Sequence, residues 1–304
     1  MLTNHQCILN AQREGLAIPA FNVPYLPLME PVIRALRDTS SFGFIAVARP
    51  EWIKFQAGSL AAVRAEYERV KDLRFTRLHT DHVPVVDEDN LRVDFEAVVR
   101  EAIELGYPSV MVDGSRLPLD ENIDATRKVV EMAHARGVAV EGELGAVMGH
   151  EAGPLPPYEE LYASGKGFTD PGDAQRFVQE TGVDWLSVAA GNIHGAISDA
   201  FRHRKKVEAK LNIEHLRRIH QVVGIPLVLH GGSGIQKECV LAAIKHGIAK
   251  INIATTVRQA YEQGFTESLT AAQAGAYQAT VRVLTEDLEL AGTAARINPE
   301  ARTA

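Results

Sequence analysis

"TRLHTDHVP" (76–84) sets His79, Asp81 and His82 at the end of a run that otherwise has the make-up of a buried strand. A single histidine in such a run is commonly a hydrogen-bonded core residue. Two histidines flanking an aspartate, placed where the apolar run stops, ask for a chemical reason. Working outward, similar runs recur at "IPAFNV" (18–23), "GFIAVA" (43–48), "FTRLHT" (75–80) and "SVMVD" (109–113). They continue at "VAVEGE" (138–143), "DWLSVA" (184–189), "PLVLH" (226–230) and "KINIA" (250–254). Between them lie "LRVDFEAVVREAIELG", "DENIDATRKVVEMAHARG" and "DAQRFVQETG", whose apolar positions recur every three to four residues, the helical period. Gly106, Gly137, Gly182 and Gly247 stand where helices end before the next strand. Strands alternating with helices pair in parallel, and eight such units in about 250 residues fit a closed barrel. The expectation is therefore an α/β protein, a (β/α)8 TIM barrel in one domain over 1–304, with a short N-terminal helix and a C-terminal helical tail. An open doubly wound sheet is the alternative. The stretch 146–168, rich in Gly and Pro, reads as a long irregular segment of the kind that serves as a lid.

Bulk composition narrows the function classes. The chain has 304 residues, 46% hydrophobic and 23% charged, an ordinary globular balance. A net charge of −7 argues against a nucleic-acid binder. No apolar run reaches the roughly 18 residues of a membrane helix. "MLTNHQCILNAQREG" is polar throughout, without a signal-peptide core, and reads as a short amphipathic helix. Cys7 and Cys239 are the only cysteines, which gives neither a disulfide framework nor a zinc ribbon. A reducing, cytoplasmic setting follows as the expectation, and any metal site must be built from His and carboxylates.

In such a barrel the active site lies at the C-terminal ends of the strands. The unusual polar residues fall there: Asn22, Asp81 and His82, Asp113, Glu141 and Glu143, His194 of "GNIHG", His230, then Asn252 and Thr255. Three histidines from separate strands, His82, His194 and His230, would converge on one rim. Imidazoles suit Zn²⁺, and three protein ligands with one open position are the catalytic pattern. His79, inside its run, reads as a core or supporting residue. Asp113 reads equally as a ligand or a strand-end cap. His134, His215, His220 and His246 read as helical surface or packing residues. "HGGSG" (230–234) has a second use. Gly231, Gly232 and Ser233 join a strand to a helix starting near Gln236, and backbone N–H groups at such a turn suit an anion.

"AFNV", "HTDH", "SVMVDGSRLPLDENI", "VEGELG", "GNIHG", "LVLHGGSGI" and "KINIAT" follow one another as in class II ketose-bisphosphate aldolases. The chain resembles that family from about residue 3 to 295. The resemblance implies a zinc-dependent aldolase that reversibly cleaves a ketose 1,6-bisphosphate, of the fructose or tagatose type, into dihydroxyacetone phosphate and an aldehyde such as glyceraldehyde 3-phosphate. It makes Asp81 the proton-transfer residue and His82, His194 and His230 the zinc ligands. Glu143 would approach the metal, and Asp113 would hold a second metal position. Glu151 would move protons from the lid. Gly195, Gly231, Ser233, Asn252 and Thr255 would contact the donor half, Asn22 and Gly232 would join them in binding substrate, and carbonyls around Ile193, Gly195 and Gly231 resemble a site for Na⁺ or K⁺. A glycolytic or related carbohydrate role and a homodimer or homotetramer are further expectations. The chain also departs from the family. Val83-Pro84 follows "HTDH", Ala48 stands where a strand-two hydroxyl is common, His150 replaces an acidic lid residue, and Ala254 stands where fructose-bisphosphate enzymes typically carry Asp. Those changes bear on the second substrate. Three rivals remain: an imine mechanism through Lys250, a family enzyme for another sugar or sugar acid, and a non-catalytic family member.

Overall fold

Strands buried on both faces need near-continuous apolar sequence, and helices between them need one apolar stripe. The computed structural model, which describes residues 1–147, 157–194 and 209–303, assembles the runs in that way. The strands are β1 (Ile18–Asn22), β2 (Gly43–Ala48), β3 (Thr76–Asp81), β4 (Val83–Pro84) and β5 (Ser109–Asp113). They continue as β6 (Ala139–Leu144), β7 (Trp185–Val188), β8 (Leu227–Leu229) and β9 (Ile248–Ile253). Hydrogen-bonded neighbours follow the order β3-β2-β1-β9-β8-β7-β6-β5-β4, all parallel.

The two ends of that order are the same stretch of chain. Only His82 separates β3 from β4. Asp81 is in register with Ala48 on β2, whereas Val83 is in register with Val112 on β5. The chain changes partners at His82, whose φ of +29° is unusual for a residue with a Cβ. One barrel position, split at His82, therefore accounts for the ninth strand, and the result is a nearly closed (β/α)8-type barrel. The break occurs within the motif that carries the predicted chemistry. Two hydrogen bonds hold it: Arg49 N–H donates to the His82 carbonyl at 3.3 Å, and His82 N–H to the side-chain Met111 Sδ at 3.3 Å.

The N-terminal segment forms the expected helix, Asn4–Arg13. Its buried Asn4 amide donates to the Leu78 carbonyl at 2.9 Å and to Ser109 Oγ at 2.7 Å, tying the helix to the barrel wall. The C-terminal tail is helical, with Leu269–Arg282 followed by a π-helical turn, Val283–Asp287.

Four details differ from the sequence reading. Part of 146–168 is ordered as the helix Tyr158–Ser164, since "YEELYAS" has good helix formers, two first-turn glutamates and a closing Gly165. Thr255 is not on the last strand but opens the helix Thr255–Phe265. His246 lies in the turn between the helix Lys237–Ile244 and β9 rather than in a helix. A short helix, Arg49–Ile53, follows β2 directly. Among the described residues no helix is long and apolar enough to cross a membrane.

Candidate active site

The strand ends deliver side chains from five barrel positions to one point. His82, His194 and His230 each offer a ring nitrogen, all within 4.8 Å of one another. His82 Nε2 and His230 Nδ1 are 2.6 Å apart, and the His194 ring stacks edge-on to His82 with centroids 5.1 Å apart. Carboxylates hold the outer nitrogens. Asp113 Oδ2 lies 3.1 Å from His82 Nδ1, and Glu141 Oε1 lies 2.7 Å from His230 Nε2. Such partners fix the ring orientation of a metal-ligating histidine. His82, Asp113 and Glu143 form a second group with the same closeness. Glu143 Oε2 accepts from Ser187 Oγ at 3.1 Å.

The donor set fits a divalent cation of the zinc type: three imidazoles, buried carboxylates behind them, and an open side facing a cavity. The same carboxylates set the charge of the site. Burial opposes charge on His82, yet Asp81, Asp113 and Glu143 around it hold its pKa up at about 10. Burial and the neighbouring Asp113 push Glu143 well above the usual carboxylate range. Asp113 resists its burial through His82 and Ser115 and sits near 2.

Asp81 is 1% exposed and adjoins the histidines. Its two oxygens each accept one amide bond at 2.8 Å, from Asn22 and from Asn252. Burial raises its pKa, but the charges of His82, His230 and Lys250 outweigh that and hold the group ionised well below the usual range. Asn252 Oδ1 is buried and has no partner among the described residues. A buried orphan acceptor is costly and is a place for a ligand hydroxyl.

A cavity connects these groups. Its lining includes Asn22, Asp81, His82, His194, His230, Gly231, Ser233, Asn252 and Thr255, together with Ala48, Glu51, Phe55, Ala254 and Arg258. A second cavity, lined by Asp113, Glu143, Ser115 and Arg116, meets it at His82 and His194. Gly231 takes a φ of +64°, and a Cβ there would collide with the Ile193 carbonyl oxygen, so the turn after β8 packs tightly on the loop carrying His194. Gly232 is placed differently from Gly231 and Ser233. It lies off this lining, and its N–H donates to the Asn252 carbonyl at 3.0 Å. Glu151, His150 and Gly195 lie outside the described residues.

Beneath the rim lies a buried polar layer. Glu141 Oε2 receives Lys250 Nζ at 2.7 Å and Trp185 Nε1 at 2.6 Å, and His79 Nε2 lies 3.4 Å away. His79 also bonds Ser109 Oγ at 2.9 Å, the supporting place expected of it. Lys250 is fully buried in an ion pair and absent from the cavity lining, which leaves no role for it as an imine-forming amine. Sequence reasoning missed Glu51. It sits on the helix after β2 with Oε2 accepting from Ala48 N–H at 2.7 Å, and burial pushes it up to about 8. Its only advance signal was a carboxylate three residues past a strand end.

The sequence pattern of the "Fructose-bisphosphate aldolase class-II" family matches residues 3–296. The fructose-bisphosphate aldolase of Staphylococcus epidermidis is 32% identical over 258 residues, 84% of this chain and 81% of that protein. Its counterpart from Staphylococcus aureus is 31% identical over the same length. The crystal structure of the YdjI aldolase from Escherichia coli K12 superposes with a TM-score of 0.75 at 26% identity, covering 97% of this chain and 100% of that one. Strand-end histidines, a buried aspartate and a whole-length match agree: the chain belongs to the class-II fructose-bisphosphate aldolase family and is an aldolase, a carbon–carbon lyase.

Proposed function

We propose that this aldolase reversibly cleaves a ketose 1,6-bisphosphate, of the fructose or tagatose type, into dihydroxyacetone phosphate and an aldehyde such as glyceraldehyde 3-phosphate. The observation that carries the reading is an ionised, buried Asp81 beside three converging imidazoles at one cavity. His82, His194 and His230 would hold Zn²⁺, with Glu143 and Asp113 at a neighbouring position. When bound, the metal supplies a Lewis acid for the ketone oxygen. Asp81 takes the proton from the C4 hydroxyl in cleavage and returns it in condensation. Asn22 and Asn252 hold its two oxygens in place for that transfer. Gly231, Ser233 and Thr255 form the flank that suits the donor phosphate, with Ser233 Oγ already bonded to Thr256 N–H at 3.4 Å. Glu151 is the proposed proton donor at the donor carbon, and carbonyls near Ile193, Gly195 and Gly231 the proposed seat of Na⁺ or K⁺. The proposal extends to a cytoplasmic homodimer or homotetramer in carbohydrate metabolism.

The test is condensation of dihydroxyacetone phosphate with glyceraldehyde 3-phosphate, with both C4 epimers measured as products. Chelation should abolish the reaction and Zn²⁺ restore it. Full turnover in metal-free protein, or trapping by borohydride in the presence of substrate, would overturn the assignment.

A further inference from the structure

Glu51 is a buried carboxylate in the wall of the reaction cavity with no part in the chemistry described so far. It is 7% exposed. Its side chain turns back so that Oε2 accepts the Ala48 N–H, half of a helix-capping arrangement. The Asn22 side chain, which donates to Asp81, lies close beside it. A carboxyl group has several hydrogen-bonding sites, so the Ala48 bond leaves capacity facing the cavity.

Its position along the cavity gives that capacity a meaning. Ser233 and Thr255 enter from the loops after β8 and β9, and in the ring β1 stands between β9 and β2. Glu51 enters from the far side of β1, beside Asp81 on the neighbouring strand. If the bond broken at Asp81 divides a ketose, the phosphate-bearing donor half lies toward Ser233 and the aldehyde half toward Glu51. Beside Glu51 in the lining, Ala48, Pro50 and Phe55 are apolar, while Arg258, on the helix after β9, bonds both oxygens of Glu262 at 3.0 and 2.9 Å. Glu51 is the acidic group on that side, set one helical turn beyond the alanine that stands in place of a hydroxyl residue.

We infer that Glu51 is a specificity-determining residue, its carboxyl hydrogen-bonding a hydroxyl of the aldehyde half of the substrate. The inference rests on the aldolase reading of the site and names what that site selects. A group built to bond a hydroxyl discriminates against an acceptor that lacks it.

The experiment compares kcat/KM for condensation of dihydroxyacetone phosphate with glyceraldehyde 3-phosphate and with its 2-deoxy analogue of equal length. The wild-type protein should prefer the hydroxylated aldehyde by about 10- to 100-fold. Glu51→Ala should collapse that ratio toward one, mainly through the hydroxylated substrate, and Glu51→Gln should keep part of it. A purely structural Glu51 would lower both reactions together and leave the ratio unchanged, which overturns the inference. Wild-type indifference to the hydroxyl overturns it without need of any variant. Absence of dihydroxyacetone phosphate-dependent condensation with either aldehyde overturns the proposed substrate and the inference together, whereas normal condensation with an unmoved ratio overturns the inference alone.

Discussion

Asp81 shows how a single residue takes its role from its surroundings. Two amides fix its oxygens and a cluster of positive charge keeps it ionised despite burial. Replacing it with alanine would remove the proposed base while leaving the three histidines in place. Asp81→Ala should retain stoichiometric zinc and lose about 10²–10⁴-fold in cleavage rate; near-normal turnover in a zinc-replete variant would remove Asp81 from the mechanism. Glu51 gives a second prediction at this scale, on stability. Its folded-state pKa of about 8 lies above the ordinary 4.5, so on raising pH the unfolded chain releases this proton first. Stability linked to Glu51 is full below about pH 4.5, falls as pH rises toward 8, and levels off above that. Glu51→Gln cannot ionise. In metal-free protein it should gain stability relative to wild type across that window, on the order of a few kcal/mol. Denaturant midpoints at several pH values would show it, and parallel pH profiles for the two proteins would count against the buried carboxyl.

Elements matter here chiefly where they touch. The turn after β8 meets the loop carrying His194 at Gly231, with no room for a Cβ and a left-handed backbone. Gly231→Ala must move one backbone or the other. The expected outcome is a loss of about 1–3 kcal/mol in stability together with at least tenfold weaker zinc binding, since His194 moves with its loop. Zinc titration with a competing chelator checks this, and wild-type affinity in the variant would show that the two loops are not coupled. The break between β3 and β4 is the other such point. By releasing the strand from β2 and passing it to β5, it turns His82 into the cavity next to Asp113.

At the scale of the whole molecule, a metal held by the three histidines would join elements far apart in sequence: β3 with β4, the loop after β7, and the end of β8. A ligand that binds only the folded chain stabilises it, by about 4 kcal/mol at a thousandfold excess over its dissociation constant. For a chain of this size, zinc should then raise Tm by about 5 °C over chelated protein. An unchanged Tm across a zinc titration would mean that the three histidines do not hold the ion together.

How much of this was legible beforehand follows from the kind of information each feature needs. Periodicity and helix-ending glycines are local, so the eight barrel positions and the helices between them could be read from the chain, as could the fact that its odd histidines and carboxylates fall at strand ends. The order of the motifs likewise announced the family. Which of those residues meet is not local. The change of partner at His82 depends on which strand lies on each side of it. The pairing of Glu141 with Lys250, 109 positions away, comes from barrel closure. Glu51 stayed hidden for the same reason: nothing within its own helix distinguishes it from a surface glutamate. Burial against Ala48, Asn22 and Asp81 makes it part of the cavity, and burial is a property that only the closed barrel confers.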